Sequence, residues 1–446
     1  MIKAKGGRMK YQHMRNEQNG AVSLFVVIFT ALLFVAVTVG FTVLMLSDQQ
    51  AATDNDLAQS ALDSANAGTE DAKRVLAQYA DCQERALTTP GSNCEKIRTA
   101  VNRNECNTIN VALGSASGDQ SERKIQQSEA NDNASALQQA YTCVKITPNT
   151  ETYVGKTRNE GDIRLIPLKT DGAQFDVVKI SWLKREDMEL GAGDTPEFTP
   201  PNDDAVTGAP EPYQRLLTKT EWREQNRGAV LRVGALQYQA GGVNLNELDD
   251  KSRAVFLYSG RAGLGNQQAN AIDLNNVDNH RPLTAADQSN LSGLAVNYPA
   301  EVRCGDAPQG FMCHTYVRLP SGMTPNQLHY LTLASVYRDT SFEVSLINST
   351  DSTPCKNNTA ETGCVEFKNV QPEIDVTGRA NNVFRRVVSR VESADASEAP
   401  YPRAALGVAG DVCKNFVVTD APDDYKDDAA TDAIAQGGSC RSLTTF

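Results

Sequence analysis

The chain is poor in the residues from which most catalytic sites are built. It has only four histidines, His13, His280, His314 and His329, in 446 residues. No Gly-x-Ser-x-Gly elbow accompanies them, so a Ser-His-Asp nucleophile has no scaffold. There is no Walker sequence. The glycine-rich run Gly260-Arg261-Ala262-Gly263-Leu264-Gly265 has the wrong order for a dinucleotide loop and reads as a turn. No Cys-x-x-Cys pair occurs, which, with so few histidines, excludes a zinc knuckle or a thioredoxin-like redox motif. Aromatic residues make up only 6% of the chain, which predicts a modest core. No repeat of 20–50 residues is visible, so an obvious solenoid or propeller is excluded. Asp273, Asn275, Asp278 and Asn279 could present oxygens to calcium but lack the glycine and closing glutamate of a calcium loop, and they and the second acidic cluster, Asp423, Asp424, Asp427 and Asp428, read as solvated loops, with calcium at such a surface the alternative. The sequence therefore predicts no enzyme, no cofactor and no resident metal.

What is present describes a folded protein. Hydrophobic residues account for 40% and charged residues for 22%, and the length allows two or three domains of ordinary size. The net charge is −12, yet the first twenty residues carry Lys3, Lys5, Arg8, Lys10 and Arg15 against Glu17 alone. The body is thus more acidic than the whole, which repels phosphate backbones and disfavours bulk nucleic-acid binding.

From Ala21 to Leu46 the chain runs for 26 residues without a charge. As a helix, that length crosses a hydrocarbon core of about 30 Å. It is too long and too uniform for a secretory signal, whose apolar stretch is shorter. Basic residues precede it and Asp48, Asp54 and Asp56 follow, so the positive-inside rule places the N-terminus in the cytoplasm and everything after Leu46 outside. All ten cysteines, Cys82, Cys94, Cys106, Cys143, Cys304, Cys313, Cys355, Cys364, Cys413 and Cys440, lie on the exported side, where an even set reads as disulfides.

The near end of the apolar segment reads Arg15-Asn16-Glu17-Gln18-Asn19-Gly20 and then Ala21. This resembles a prepilin-type leader of the type IV pilin family. The resemblance implies cleavage between Gly20 and Ala21 by a membrane prepilin peptidase, with the helix left attached. Beyond the span, Leu57, Ala61, Ala65, Gly68, Ala72, Val75, Leu76 and Tyr79 fall on one helical face. The stretch Ala61-Leu62-Asp63-Ser64-Ala65-Asn66-Ala67-Gly68-Thr69-Glu70-Asp71-Ala72 is similar to the small-residue pattern of PilX-type minor pilins. The likeness covers residues 20–79. It implies other pilins, the pilus assembly machinery and membrane lipid as partners, with a host or surface ligand that the sequence does not identify. In major pilins the fifth residue after the cut is a glutamate that pairs with a neighbour's N-terminal amine. Here that residue is Phe25, and no acid occurs between Ala21 and Leu46, which implies a low-copy minor or tip subunit. An uncleaved single-pass anchor carrying an extracellular binding domain is the alternative.

The organisation expected is a leader (1–20), a transmembrane helix (21–46), an amphipathic helix and disulfide-tied helical region (47–140), and a β head. The head's first part (141–190) and second part (214–446) are separated by a proline-rich loop or boundary (191–213) holding Pro196, Pro200, Pro201, Pro210 and Pro212. Strands are expected at 142–147, 162–170, 175–183, 229–238, 254–258, 313–319, 331–337 and 342–347, the last with Phe342, Val344 and Leu346 inward and Glu343 and Ser345 on a wet face. The fold class is α+β. The run Val383-Phe384-Arg385-Arg386-Val387-Val388-Ser389-Arg390-Val391 fits a helical stripe or an alternating strand, and the turn chemistry of residues 377–382 before it favours the strand. As a strand it would set Arg386 and Arg390 on one face as a candidate basic ridge. Proximity in sequence pairs Cys304 with Cys313, Cys355 with Cys364, and Cys413 with Cys440. The remaining four can pair among themselves in three ways.

Overall fold

The computed structural model describes residues 19–85, 89–115, 120–125, 138–158, 163–191, 193–198, 217–239, 252–260, 267–275, 300–305, 307, 310–320 and 327–392. No proline interrupts the first helix, α1 (Asn19–Glu84), which runs unbroken for 66 residues. At 1.5 Å per residue it is about 100 Å long. Two shorter α-helices follow among the described residues. Ser92 starts α2 (Asn93–Asn102) by accepting from the Glu95 amide, and Thr218 starts α3 (Lys219–Glu224) in a capping box with Glu221.

The strands in chain order are β1 (Arg123–Lys124), β2 (Ala140–Thr150), β3 (Thr152–Thr157), β4 (Ile163–Pro167) and β5 (Val177–Lys184). Then come β6 (Val230–Gln239), β7 (Arg253–Gly260), β8 (Ile272–Asp273), β9 (Ala300–Arg303) and β10 (Phe311–Arg318). The last are β11 (Gln327–Val336), β12 (Thr340–Ile347), β13 (Cys364–Val365), β14 (Phe367–Ala380) and β15 (Val383–Arg390). They form three sheets. The first has the order β1-β2-β14-β15; the second β13-β12-β5-β10-β8, with β3 also beside β12; the third β4-β11-β6-β7-β9.

One apolar core draws on the second and third sheets together. Cross-strand pairs Phe342 with Trp182, Val344 with Ile180 and Leu346 with Val178 supply it from one side. Ile166, Leu231, Val233, Val255, Leu257, Leu331 and Leu333 supply it from the other. A second core lies between α1, α2 and the first sheet, built on Val75, Tyr79, Ile97, Ile109, Tyr141, Val144, Ile146, Ile374 and Val376.

Several expectations change. The far face of β12 is not open to water: Ser345 is buried, and the loop closed by Cys355 and Cys364 brings Glu361 onto Lys179. Burial there pushes the Glu343 carboxyl up. Strands on the two sides of the proline-rich stretch pair with one another, β2 with β14, β4 with β11, and β5 with β10 and β12, so no division of the sheets falls at 191–213. The turn before β15 is confined to Asn381 and Asn382, with Asn381 at φ 52°, while residues 377–380 belong to β14.

Disulfides Cys304–Cys313 and Cys355–Cys364 join the expected neighbours. The other described four pair as Cys82–Cys94, tying the end of α1 to α2, and Cys106–Cys143, tying the segment after α2 to β2. Cys413 and Cys440 lie outside the described residues. Beside the second bridge, Asn107 adopts a left-handed conformation and closes the outer edge of β2. Its amide donates to the Val144 carbonyl at 2.8 Å, its Oδ1 accepts from the Val144 amide at 2.9 Å, and its Nδ2 donates to the Thr142 carbonyl at 2.8 Å.

Candidate functional site

The candidate site is α1 itself, which divides into two halves by what surrounds it. From residue 23 to residue 46 every side chain is exposed, including Leu24, Phe25, Ile28, Phe29, Leu32, Phe34 and Phe41. A soluble helix hides such residues. Its few polar atoms are turned inward onto its own backbone: the hydroxyls of Thr30, Thr38 and Thr42 donate to the carbonyls of Val26, Phe34 and Thr38 at 2.7–2.9 Å. The segment therefore presents hydrocarbon all round, and a helix with that property needs lipid or other helices as its surroundings. It is the chain's one described helix long and apolar enough to cross a membrane.

Residues 47–56 of the same helix are polar and equally uncovered. At Leu57 the head begins. Leu57, Ala61, Ser64, Ala65, Gly68, Thr69, Ala72, Val75, Leu76 and Tyr79 are all buried, a helical face laid on the first sheet. The expected stripe is thus the seat of the helix, and its small residues have a specific cause. A Cβ on Gly378 of β14 would lie 2.2 Å from the Ala61 carbonyl oxygen and 2.3 Å from the Ala65 nitrogen. A Cβ on Gly68 would lie 2.8 Å from Val376 Cγ1 and 3.0 Å from the Tyr141 ring. Helix and sheet backbones are in direct contact, which only glycine and alanine permit. At the upper end Leu76, Val75 and Tyr79 add larger apolar area, each contributing about 2 kcal/mol when fully buried.

Polar contacts fix the seat's register. The Tyr141 hydroxyl donates to Asp71 Oδ2 at 2.9 Å. Burial first, and then Asp71, push the Tyr141 phenol well above its ordinary value. Asp71 also pairs with Arg74 one turn along. Beside it, Glu70, Asp71, Arg74, Glu122, Arg123 and Tyr141 border an open groove of about 610 Å³ with charges of both signs.

Comparison with known protein families, with curated proteins and with solved structures finds no match.

Of the residues singled out from the sequence, Gly20 and Ala21 lie in the first turn of α1, and Phe25 is 74% exposed one turn later. Residues 1–18 of the leader lie outside the described residues. Arg386 and Arg390 do share a face of β15, but each is committed to an acid on β14. Arg386 grips Asp375 through two hydrogen bonds of 2.6 and 2.7 Å, and Arg390 pairs with Glu373 at 2.8 Å. The ridge is a neutralised ladder rather than a cationic surface. The ligand atoms of Cys355, Glu361 and Cys364 lie within 4.8 Å of one another, but the two sulfurs are bonded together and leave no thiolate for a metal. Gly378, Asp71 with Tyr141, and Asn107 were not legible as site residues. Each matters through a partner more than thirty positions away; helical spacing marked the α1 side of the seat, Ala61, Ala65 and Gly68 among it, but not the residues it meets.

Proposed function

We propose that the chain is a minor or tip subunit of a type IV pilus or related pseudopilus, anchored by its N-terminal helix and presenting the β head outside the cell. The observation that carries this reading is the division of α1. One continuous helix is uncovered and apolar in its first half, and is held on a four-stranded sheet through backbone contact in its second. Such a helix serves first as a membrane anchor and then, side by side with its counterparts, as the core of a filament. The prepilin peptidase would act at Gly20–Ala21, and other pilins with the assembly machinery would take up the helix. Phe25 offers no carboxylate to a neighbour's amine, which fits a subunit present in few copies. The head sits in an oxidising space, consistent with its four described disulfides.

The test is the N-terminus of the native protein, read by mass spectrometry. The expected first residue is Ala21, and Gly20→Val should leave the leader attached. A native protein that keeps its leader would refute the pilin reading and leave an uncleaved membrane-anchored binding protein.

A further inference from the structure

Lys179 lies on β5, between β12 and β10 in the second sheet, and its ammonium meets Glu361 in the loop closed by Cys355 and Cys364. The pair is mostly enclosed, with 16% of the lysine side chain and 18% of the glutamate side chain exposed. An ion pair alone would account for that contact, but it has a third member. Asn358 Nδ2 donates to the same Glu361 oxygen, Oε1, at 2.9 Å. A primary amine and a carboxamide therefore share one carboxylate oxygen. The amide is held at its other end too, because the Ala360 N–H donates to Asn358 Oδ1 at 3.2 Å.

The loop that carries Asn358 is fixed over the sheet. The disulfide closes it, and the two carboxylate oxygens of buried Glu151 accept from the Lys356 and Asn357 amides at 2.7 and 2.8 Å. The surroundings of the amine are poorly hydrated. Lys179 Nζ sits 5.9 Å from the centre of the Tyr316 ring on β10, and burial raises both that phenol and the Glu343 carboxyl on β12.

Each part has a place in one reaction. An amine attacks a carbonyl carbon, a carboxylate between amine and leaving group relays the proton, and an N–H on the carbonyl oxygen stabilises the charge that develops there. Holding the groups side by side removes the cost of bringing them together, and the flexible lysine stem supplies the remaining movement of Nζ to the carbon.

We infer that Lys179 and Asn358 join in an isopeptide bond that the head forms on itself, with Glu361 carrying the proton. Glu361 takes one proton from the Lys179 ammonium and gives it to the leaving nitrogen. Nζ bonds to Asn358 Cγ, the Cγ–Nδ2 bond breaks, and ammonia departs. Nζ sheds a second proton as the new amide forms, the ammonia carries it away as ammonium, and Glu361 ends as it began. No oxidant or further reactant is required. The link ties β5 to the disulfide loop and does not depend on the role proposed for the chain.

Peptide mapping of the purified full chain, reduced and alkylated, tests this. A branched peptide should join the segment bearing Lys179 to that bearing Asn358, with a mass one ammonia below the sum of its arms. Lys179→Arg keeps a cation for Glu361 yet should abolish the branch, and Asn358→Ala should abolish it as well. Glu361→Gln, which retains both amine and amide, should slow its appearance about a hundredfold. Two separate peptides of full mass in the native chain overturn the inference. A branch that has lost water and joins Lys179 to Glu361 overturns the assignment to Asn358, and a branch formed equally fast in Glu361→Gln overturns the proton-carrying role.

Discussion

Gly378 concentrates the cost of the seat at one atom position. Any Cβ there meets the backbone of α1 at Ala61 and Ala65, and backbone cannot swing aside as a side chain can. Gly378→Ala is therefore expected to destabilise the head by about 3 kcal/mol, read by denaturant unfolding, the upper range for overpacking. Gly40→Ala, in the uncovered half of α1 with nothing within 4 Å, should leave the same unfolding curve in place. Tyrosines give a second expectation at this scale. Burial holds the phenols of Tyr141 and Tyr153 above their ordinary range and pushes that of Tyr316 up to about 12. The folded state thus keeps these protons when the unfolded chain, with tyrosine at about 10, releases them. Their contribution is complete below pH about 10 and is lost as pH rises past it. Thermal melting across pH 8 to 11.5 should show a fall only at the alkaline end, and a flat profile would contradict the burial of these rings.

Among the elements, the disulfides differ in what they close. Cys106–Cys143 spans 37 positions and holds the Asn107 cap against β2. Cys304–Cys313 spans only 9. Chain-entropy reasoning assigns about 4 kcal/mol to the first and about 3 kcal/mol to the second. Replacing both cysteines of each pair by serine should reproduce that order in melting temperature, with the larger loss at Cys106–Cys143 because the Asn107 contacts go with it. The strands show where sequence reasoning succeeds and where it stops. β12 was legible because Phe342, Val344 and Leu346 alternate cleanly, and α1 because its seat repeats with helical spacing and no proline interrupts it. β14, the longest of the described strands, was not. Pro372 and Gly378 look like breaks, yet the register against β2 shifts between Lys368 and Glu373 and again at Gly378, so both residues sit at irregularities that tolerate them. β3 was missed because Gly155 interrupts its pattern; a Cβ there would meet the Phe342 ring at 2.7 Å, a reason held by a strand nearly two hundred residues later. β1, β8 and β13, two residues each, exist only through their partners.

For the molecule as a whole, the division between an uncovered helix and a β head was legible in the apolar run and the stripe that follows it. The interleaving of the sheets was not, since it depends on pairings between distant strands. The minor-subunit proposal makes a quantitative claim: in sheared filaments, mass spectrometry should find this chain far below the most abundant pilin, and equal abundance would rule that role out. The uncovered polar turns at residues 47–56 add a mechanical property. Because α1 is continuous and its upper half is fixed to the sheet, head and apolar segment are coupled like the two ends of a crankshaft. One residue inserted at Ala51 would turn the head by about 100° about the helix axis, whereas seven would return it to within about 20° and raise it about 10 Å. The direction in which the head faces is therefore written in the residue count of ten exposed positions.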